Sequence, residues 1–444
     1  MAHKKHPRIP FAFAYLIFLI IISFGCNSAE NTPPQKSHPV ATGTFIQDNL
    51  IARWDDQRWQ QELAMLKEVG MEYLVLAPTL YSNTDNIPRT IYNSEIPGTV
   101  KKHNSDLVEN CLRNAKEAGF KVFLGLNFHE NWWTASFSPE WLFAQMETGN
   151  QVATELVKKY KNKYPNTMYG WYWVWEVDNL NVKTTERQDV LINALNININ
   201  HLNEITPEMP FMLCPFVNYR VGNSPENAEM WKYVLPRVNF RKGDIFAPQD
   251  CVGAGGLELE MVDEWFSTMA DAVKLVPGLE FWSDAETFDQ QFWTAAPLDR
   301  FVKQMEAVSP YVSNIITFAY SHYYSPFLKT DEFHKTYMHY VHEGTFPDSQ
   351  EPSPVRAVIA NKSNGAVTIS WDEPESKLSL AGFYVFKNDE LIADLQYNAQ
   401  GNCKTFFNDT ETSSDGKNIY KVCAYSADGK MSSSEFIEVE NSIY

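Results

Sequence analysis

The sequence predicts an α/β chain: a (β/α)8 barrel followed by a small all-β sandwich. Three observations carry this reading. Strand-like and helix-like stretches alternate from about residue 40 to 345. The strand-like stretches are continuous apolar runs, as parallel strands covered on both faces should be. After an acidic, proline-containing linker at 346–354 the pattern changes to short strands that alternate in and out.

The elements follow in order. Gly43 to Gln47 is the first strand. Asp55 or Asp56 caps a helix through Val69, with Trp59, Leu63 and Leu66 on one face and Gly70 as its stop. Glu72 to Ala77 is the second strand, and a long loop fills 78–103. A helix ending at Gly119 leads to the third strand, Lys121 to Leu126. The segments around Gly70 and Gly119 echo one another: helix end, glycine, immediate strand. A helix over Pro139 to Asn162 precedes the fourth strand, which leads from Met168 to Glu176. Helices near 185–205 and 225–235, one from beyond Gly256 to about Val276 and one following Pro297 separate strands at Phe211 to Phe216, Asp244 to Pro248, Leu279 to Asp284 and Asn314 to Ala319. A last helix ends at Gly344. An open doubly wound sheet would carry an early glycine-rich phosphate loop. Gly253-Ala-Gly-Gly256 comes late and has the wrong spacing, so it reads as an active-site loop or a plain turn.

The chain has 444 residues and a net charge of −18. That length suits a large barrel plus a small domain. The charge argues against nucleic acid, which needs basic clusters. It suits a neutral or cationic substrate. Residues 1–25 read as a signal peptide: Lys4, Lys5 and Arg8 precede an apolar run from Phe11 to Phe24 that is short for a membrane span. Ser23-Phe24-Gly25-Cys26 resembles a bacterial lipoprotein cleavage site, with Ser in place of the usual Leu. Cys26 would then be lipidated, 26–39 would be a tether, and the protein would sit on the bacterial outer membrane, on its periplasmic or cell-surface face. Membrane contact would be through that lipid alone. The other cysteines form no CxxC pair, and no His-Glu-x-x-His pattern is present, so no metal and no cofactor are expected. A Cys403–Cys423 disulfide stays open. A monomer is expected.

In a (β/α)8 barrel the active site lies at the carboxyl ends of the strands. The polar residues there are Gln47, Asn127, His129, Glu130, Glu176, Asp178, Asn218, Gln249, Asp250, Asp284, Glu286, Ser321 and His322. Tyr81, Trp132, Trp133 and Tyr323 lie where rings could stack on a sugar. The bland alternatives are loop caps, salt-bridged carboxylates and a packed histidine. Trp171, Trp173 and Trp175 alternate with Glu176, so if Glu176 points inward they face the helices as core. Glycoside hydrolysis needs two carboxyl groups flanking the bond, at a spacing that decides retention or inversion. Glu176 after strand 4 and Glu286 after strand 7 are the candidates. Asp284 and Asp250 compete with Glu286, and Asp178 reads as a supporting group.

These two positions resemble those of retaining glycosidases of the large (β/α)8 clan, which place an acid/base Glu after strand 4 and a nucleophile Glu after strand 7. That clan usually has Asn before the acid/base; here it is Trp175. Gly43-Thr-Phe-Ile-Gln47, Trp54-Asp55 and Trp175-Glu-Val-Asp-Asn179 are similar to a family of bacterial lipoproteins known as a domain of unknown function with a glycosidase-like barrel. The last 90 or so residues resemble a fibronectin type III domain, through Trp371 and Tyr420-x-Val422-x-Ala424 followed by Gly429. Such domains usually act as spacers. The family resemblance implies fold and location; the two carboxylates, Glu176 as general acid/base and Glu286 as nucleophile or base, point to an exported glycoside hydrolase acting on a poly- or oligosaccharide. The alternative is a non-catalytic glycan-binding lipoprotein on a degenerate barrel.

Overall fold

The structure is a computed structural model and describes residues 38–441, except 136–137, 349, 364 and 412–415. The predicted leader and Cys26 lie outside the described residues.

Eight parallel strands close into a barrel in chain order. They are β1 (Gly43–Ile46), β2 (Tyr73–Leu76), β3 (Lys121–Gly125), β4 (Met168–Trp173), β5 (Phe211–Leu213), β6 (Ile245–Phe246), β7 (Glu280–Glu286) and β8 (Asn314–Phe318). Closure comes from β1 pairing with β8, Gly43 opposite Ile316 and Thr44 opposite Thr317. The eight main helices are α1 (Asp56–Glu68), α2 (Leu107–Ala118), α3 (Pro139–Leu156), α4 (Thr185–Ile205), α5 (Ser224–Val234), α6 (Val262–Val273), α7 (Leu298–Val308) and α8 (Glu332–Glu343). Asp55 caps α1 by accepting from Arg58 N at 2.8 Å. Gly119 ends α2 in the left-handed conformation that favours glycine. A π-helical turn, Val157–Lys161, extends α3.

The strands alternate between two apolar layers. Phe45, Val75, Phe123, Tyr172, Met212 and Trp282 point inward with their neighbours and fill the barrel as a solid core. The alternate residues face the helices. Gly170 in β4 faces a crowded interior, where a Cβ would stand 2.3 Å from the Phe123 ring. The loop at 78–103 is more ordered than its sequence suggests. It contributes Leu80–Ser82, Pro88–Thr90 and Val100–Lys101 to a small sheet with Asn127–His129. Among the described residues no helix is long and apolar enough to cross a membrane.

Residues beyond 355 form two antiparallel sheets around one core. The first holds β9 (Arg356–Ser363), β10 (Ala366–Asp372) and β13 (Phe406–Asp409). The second holds β12 (Glu390–Gln396), β11 (Leu380–Lys387), β14 (Gly416–Ser426) and β15 (Glu435–Asn441). Asn388 and Asp389 both take positive φ, as the tight turn between β11 and β12 requires. Trp371, Phe383 and Tyr420 are central to the core. Cys403 and Cys423 are free thiols. Ala381, Tyr425 and Ala427 belong to the barrel's outer core, so this domain packs against the barrel rather than trailing from it.

Candidate active site

The carboxyl ends of the strands surround a cleft of about 600 Å³. Its polar lining is Gln47, Glu176, Asp178, Gln249, Asp284, Glu286 and Gln290. Its apolar lining includes Tyr172, Phe216, Phe288, Trp293 and Tyr323. Among the described residues no lysine, arginine or histidine lines it.

Glu176 follows Tyr172 and Val174 on the inward face of the chain leaving β4, and all three line the cleft. The tryptophans between them face outward: Trp171 Nε1 donates to Thr206 Oγ1 at 2.9 Å and Trp173 Nε1 to Asn198 Oδ1 at 3.0 Å, both on the helix layer. Trp132 Nε1 donates to the Glu176 carbonyl at 3.0 Å and fixes the backbone there. Burial raises the Glu176 carboxyl to about 7, and the neighbouring Asp178 charge adds to it. Asp178 is spent on its own turn, accepting from Leu180 N at 3.0 Å and from Asn181 Nδ2 at 3.1 Å.

β7 brings Trp282, Asp284 and Glu286 to one inward face. Glu286 is 2% exposed and accepts from Ala254 N at 2.7 Å, so the glycine-rich loop is part of the site. A Cβ on Gly253 would stand 2.2 Å from Phe288 O, which is why this loop needs glycine there. Burial and then the Asp250 charge push the Glu286 carboxyl well above its usual range, while the Ala254 N–H opposes them. Asp250 is fully buried behind it. Val252 N donates to Asp250 Oδ1 at 3.2 Å, and Gln304 Nε2 to Oδ2 at 2.6 Å. Burial still lifts it to about 6. Asp284 is 3% exposed, and its Oδ1 lacks a hydrogen-bond partner. Burial, then Asp250 and Glu176, raise its carboxyl well above the usual range.

The structure brings together Gln47, Trp133, Glu176, Asp178, Gln249, Asp284, Glu286 and Tyr323 around the cleft. Other predicted residues stand elsewhere. Trp132 is 1% exposed and packed on Trp175, so it cannot offer a face to a sugar. His129 is buried and consumed locally: Nδ1 accepts from Asn131 N at 3.1 Å, and Nε2 pairs with Asn86 Oδ1 at 2.9 Å. Tyr81 donates to Glu130 in the small sheet above β2, outside the cleft lining. Asn218 clasps Asn179 through its backbone and also lies outside it. Asp250 lies behind the lining, and so does His322, whose Nε2 accepts from Gln47 N at 3.3 Å. Burial lowers His322 to about 4 and keeps it neutral.

Sequence reasoning missed Phe288 and Trp293. A hairpin pairs Phe288 with Ala295 and Asp289 with Thr294. Trp293 is 61% exposed, takes φ of +54°, and lies parallel to Phe288 with ring centres 5.7 Å apart. Tyr323 stacks on the same ring at 5.5 Å. The result is an aromatic wall beside Glu286. The only cue in the sequence was Phe288 and Trp293 close behind β7. Among the described residues no group of three His, Cys, Asp or Glu side chains could hold a metal ion.

A closed eight-stranded parallel barrel, ringed by helices and opening on a carboxyl-lined cleft, defines a protein of glycosidase-like fold. The chain belongs to the family described as "Domain of unknown function (DUF4434)", which matches residues 41–330. No curated protein matches it. A candidate alpha-L-fucosidase from Bacteroides thetaiotaomicron is 20% identical with a TM-score of 0.55, over 66% of this chain and 91% of that one. The endo-beta-1,4-mannanase of Thermotoga petrophila is 13% identical with a TM-score of 0.45, over 92% and 98%. A Bacteroides uniformis beta-glucuronidase is 9% identical with a TM-score of 0.39, over 87% and 44%.

Proposed function

We propose that the protein is an exported glycoside hydrolase acting on a poly- or oligosaccharide. One observation carries this reading: Glu176 and Glu286, from strands 4 and 7, line the same cleft. Glu176 is the acid/base. With its carboxyl raised to about 7 it holds a proton at neutral pH and can deliver it to the leaving oxygen. Glu286 is the nucleophile or base. It acts as its carboxylate, the form that the Ala254 N–H favours, and positive charge developing on the sugar ring stabilises that form as the bond breaks. The carboxyl-rich lining without a basic side chain suits a neutral or cationic sugar.

The leader and Cys26 support a lipid-anchored protein on the outer membrane, and the protein is proposed to be monomeric. The three-plus-four strand arrangement supports a fibronectin type III-like C-terminal domain. The test is a panel of polysaccharides and chromogenic glycosides with wild type and Glu176→Gln. Release of reducing sugar by wild type, cut about 10²- to 10⁴-fold in the variant, is the expected result. Equal release by both ends the assignment. Binding by both with release by neither favours a glycan-binding protein, a reading that the exposed Trp133 and Trp293 also suit.

A further inference from the structure

The wall beside Glu286 is held from outside the barrel. Gln396 is the last residue of β12, in the C-terminal domain. Its Oε1 accepts from Ala295 N at 3.0 Å, and its Nε2 donates to Ala295 O at 2.8 Å. Ala295 is the strand residue paired with Phe288 in the hairpin that presents Trp293. The side-chain amide thus stands where a neighbouring strand's peptide would, and completes the hairpin's open edge. Gln396 is itself held: Lys329 Nζ donates to Oε1 at 2.9 Å, and Nε2 lies 2.9 Å from Tyr425 OH. A second tie runs from Gln291 Nε2 to Leu391 O at 3.3 Å. Trp293 meanwhile sits at a positive φ, a conformation that persists in a bulky residue only where its surroundings impose it.

We propose that Gln396 is a positioning residue for the cleft: the C-terminal domain, through its amide, sets the hairpin that carries Phe288 and Trp293. The domain is a working part of the site rather than a spacer. That Phe288 and Trp293 form a sugar platform rests on the proposed function; the positioning by Gln396 does not.

The test is amide hydrogen exchange on the full chain, wild type against Gln396→Ala and Gln396→Glu. The glutamate keeps the shape but loses the donor to Ala295 O. Exchange across 288–296 should rise tenfold or more in both variants, while β8 (314–318) exchanges as in wild type. Acrylamide quenching of Trp293, taken as the difference from matched Trp293→Phe proteins, should change with it. Unchanged exchange in 288–296 overturns the proposal. So does an equal rise in 288–296 and in β8, because Gln396 would then support overall stability alone. Neither result bears on whether the cleft hydrolyses glycans, which the sugar-release assay reads separately.

Discussion

Gln304 Nε2 donates to Asp250 Oδ2 at 2.6 Å. The same nitrogen reaches the Glu286 carbonyl at 3.0 Å, and Gln304 Oε1 accepts from Arg300 Nε at 3.1 Å. One residue on α7 therefore fixes the ends of strands 6 and 7 together. Gln304→Leu removes a donor from a fully buried carboxyl. It should destabilise the protein by about 1–3 kcal/mol in chemical denaturation and lower turnover with it. A midpoint that does not move would show that Asp250 has other support.

Glu176 gives stability a pH slope. Its folded-state value of about 7 lies above the usual 4.5, so the folded protein keeps a proton that the unfolded chain releases. The stabilisation from this proton is complete below about 4.5 and is lost as the pH rises through about 7. Asp250, lifted from 3.8 to about 6, acts in the same sense. Glu176→Gln should flatten the fall of Tm over that window, as scanning calorimetry at a series of pH values would read. An unaltered slope counts against a raised Glu176.

Asp178 should tune the acid. Its charge adds to the raising of Glu176. Asp178→Asn removes that charge, so Glu176 gives up its proton at lower pH. The alkaline limb of kcat/KM should move down the pH scale. A limb that stays, or moves up, would place the titrating acid elsewhere.

Trp293 should matter for ligand and little for the fold. Most of its ring faces solvent. Trp293→Ala should change unfolding free energy by no more than about 0.5 kcal/mol. Loss of an aromatic stack worth about 0.5–1.5 kcal/mol should weaken glycan binding severalfold, read by titration calorimetry. Undiminished binding would remove the wall from the site.

The barrel was legible because its strands are continuous apolar runs and three of its helices stop at glycines, Gly70, Gly119 and Gly344. The Glu176 side of the cleft was legible for the same reason. Alternation along one strand puts Trp171, Trp173 and Trp175 in the core once Glu176 faces inward. The aromatic residues at 132 and 293 were not legible. Trp132 and Trp133 are neighbours in sequence, yet one is buried and the other is 56% exposed, and only the setting of the short helix Trp132–Ala135 that carries both decides which. Trp293 is placed by a hairpin with no periodicity to read, and that hairpin is braced by a residue about a hundred positions away. Asp250 looked like a ligand because it follows a strand. Its fate depended on Gln304, a glutamine on a distant helix with no motif around it.

Ala381, Tyr425 and Ala427 complete the barrel's outer core, and Leu298 N at the start of α7 donates to Ala427 O at 2.8 Å. This sets an order of assembly. A chain emerging from its amino end has made all eight barrel strands before β14 exists, but it has not sealed the surface on which α7 and α8 rest. The nascent barrel must wait, with apolar groups uncovered, until β14 arrives. A stop codon just past α8 would leave the Glu176 and Glu286 carboxyls intact and still release a sticky, unfinished product, so loss of the C-terminal domain should be met by the cell as a quality-control problem before it is felt as a chemical one.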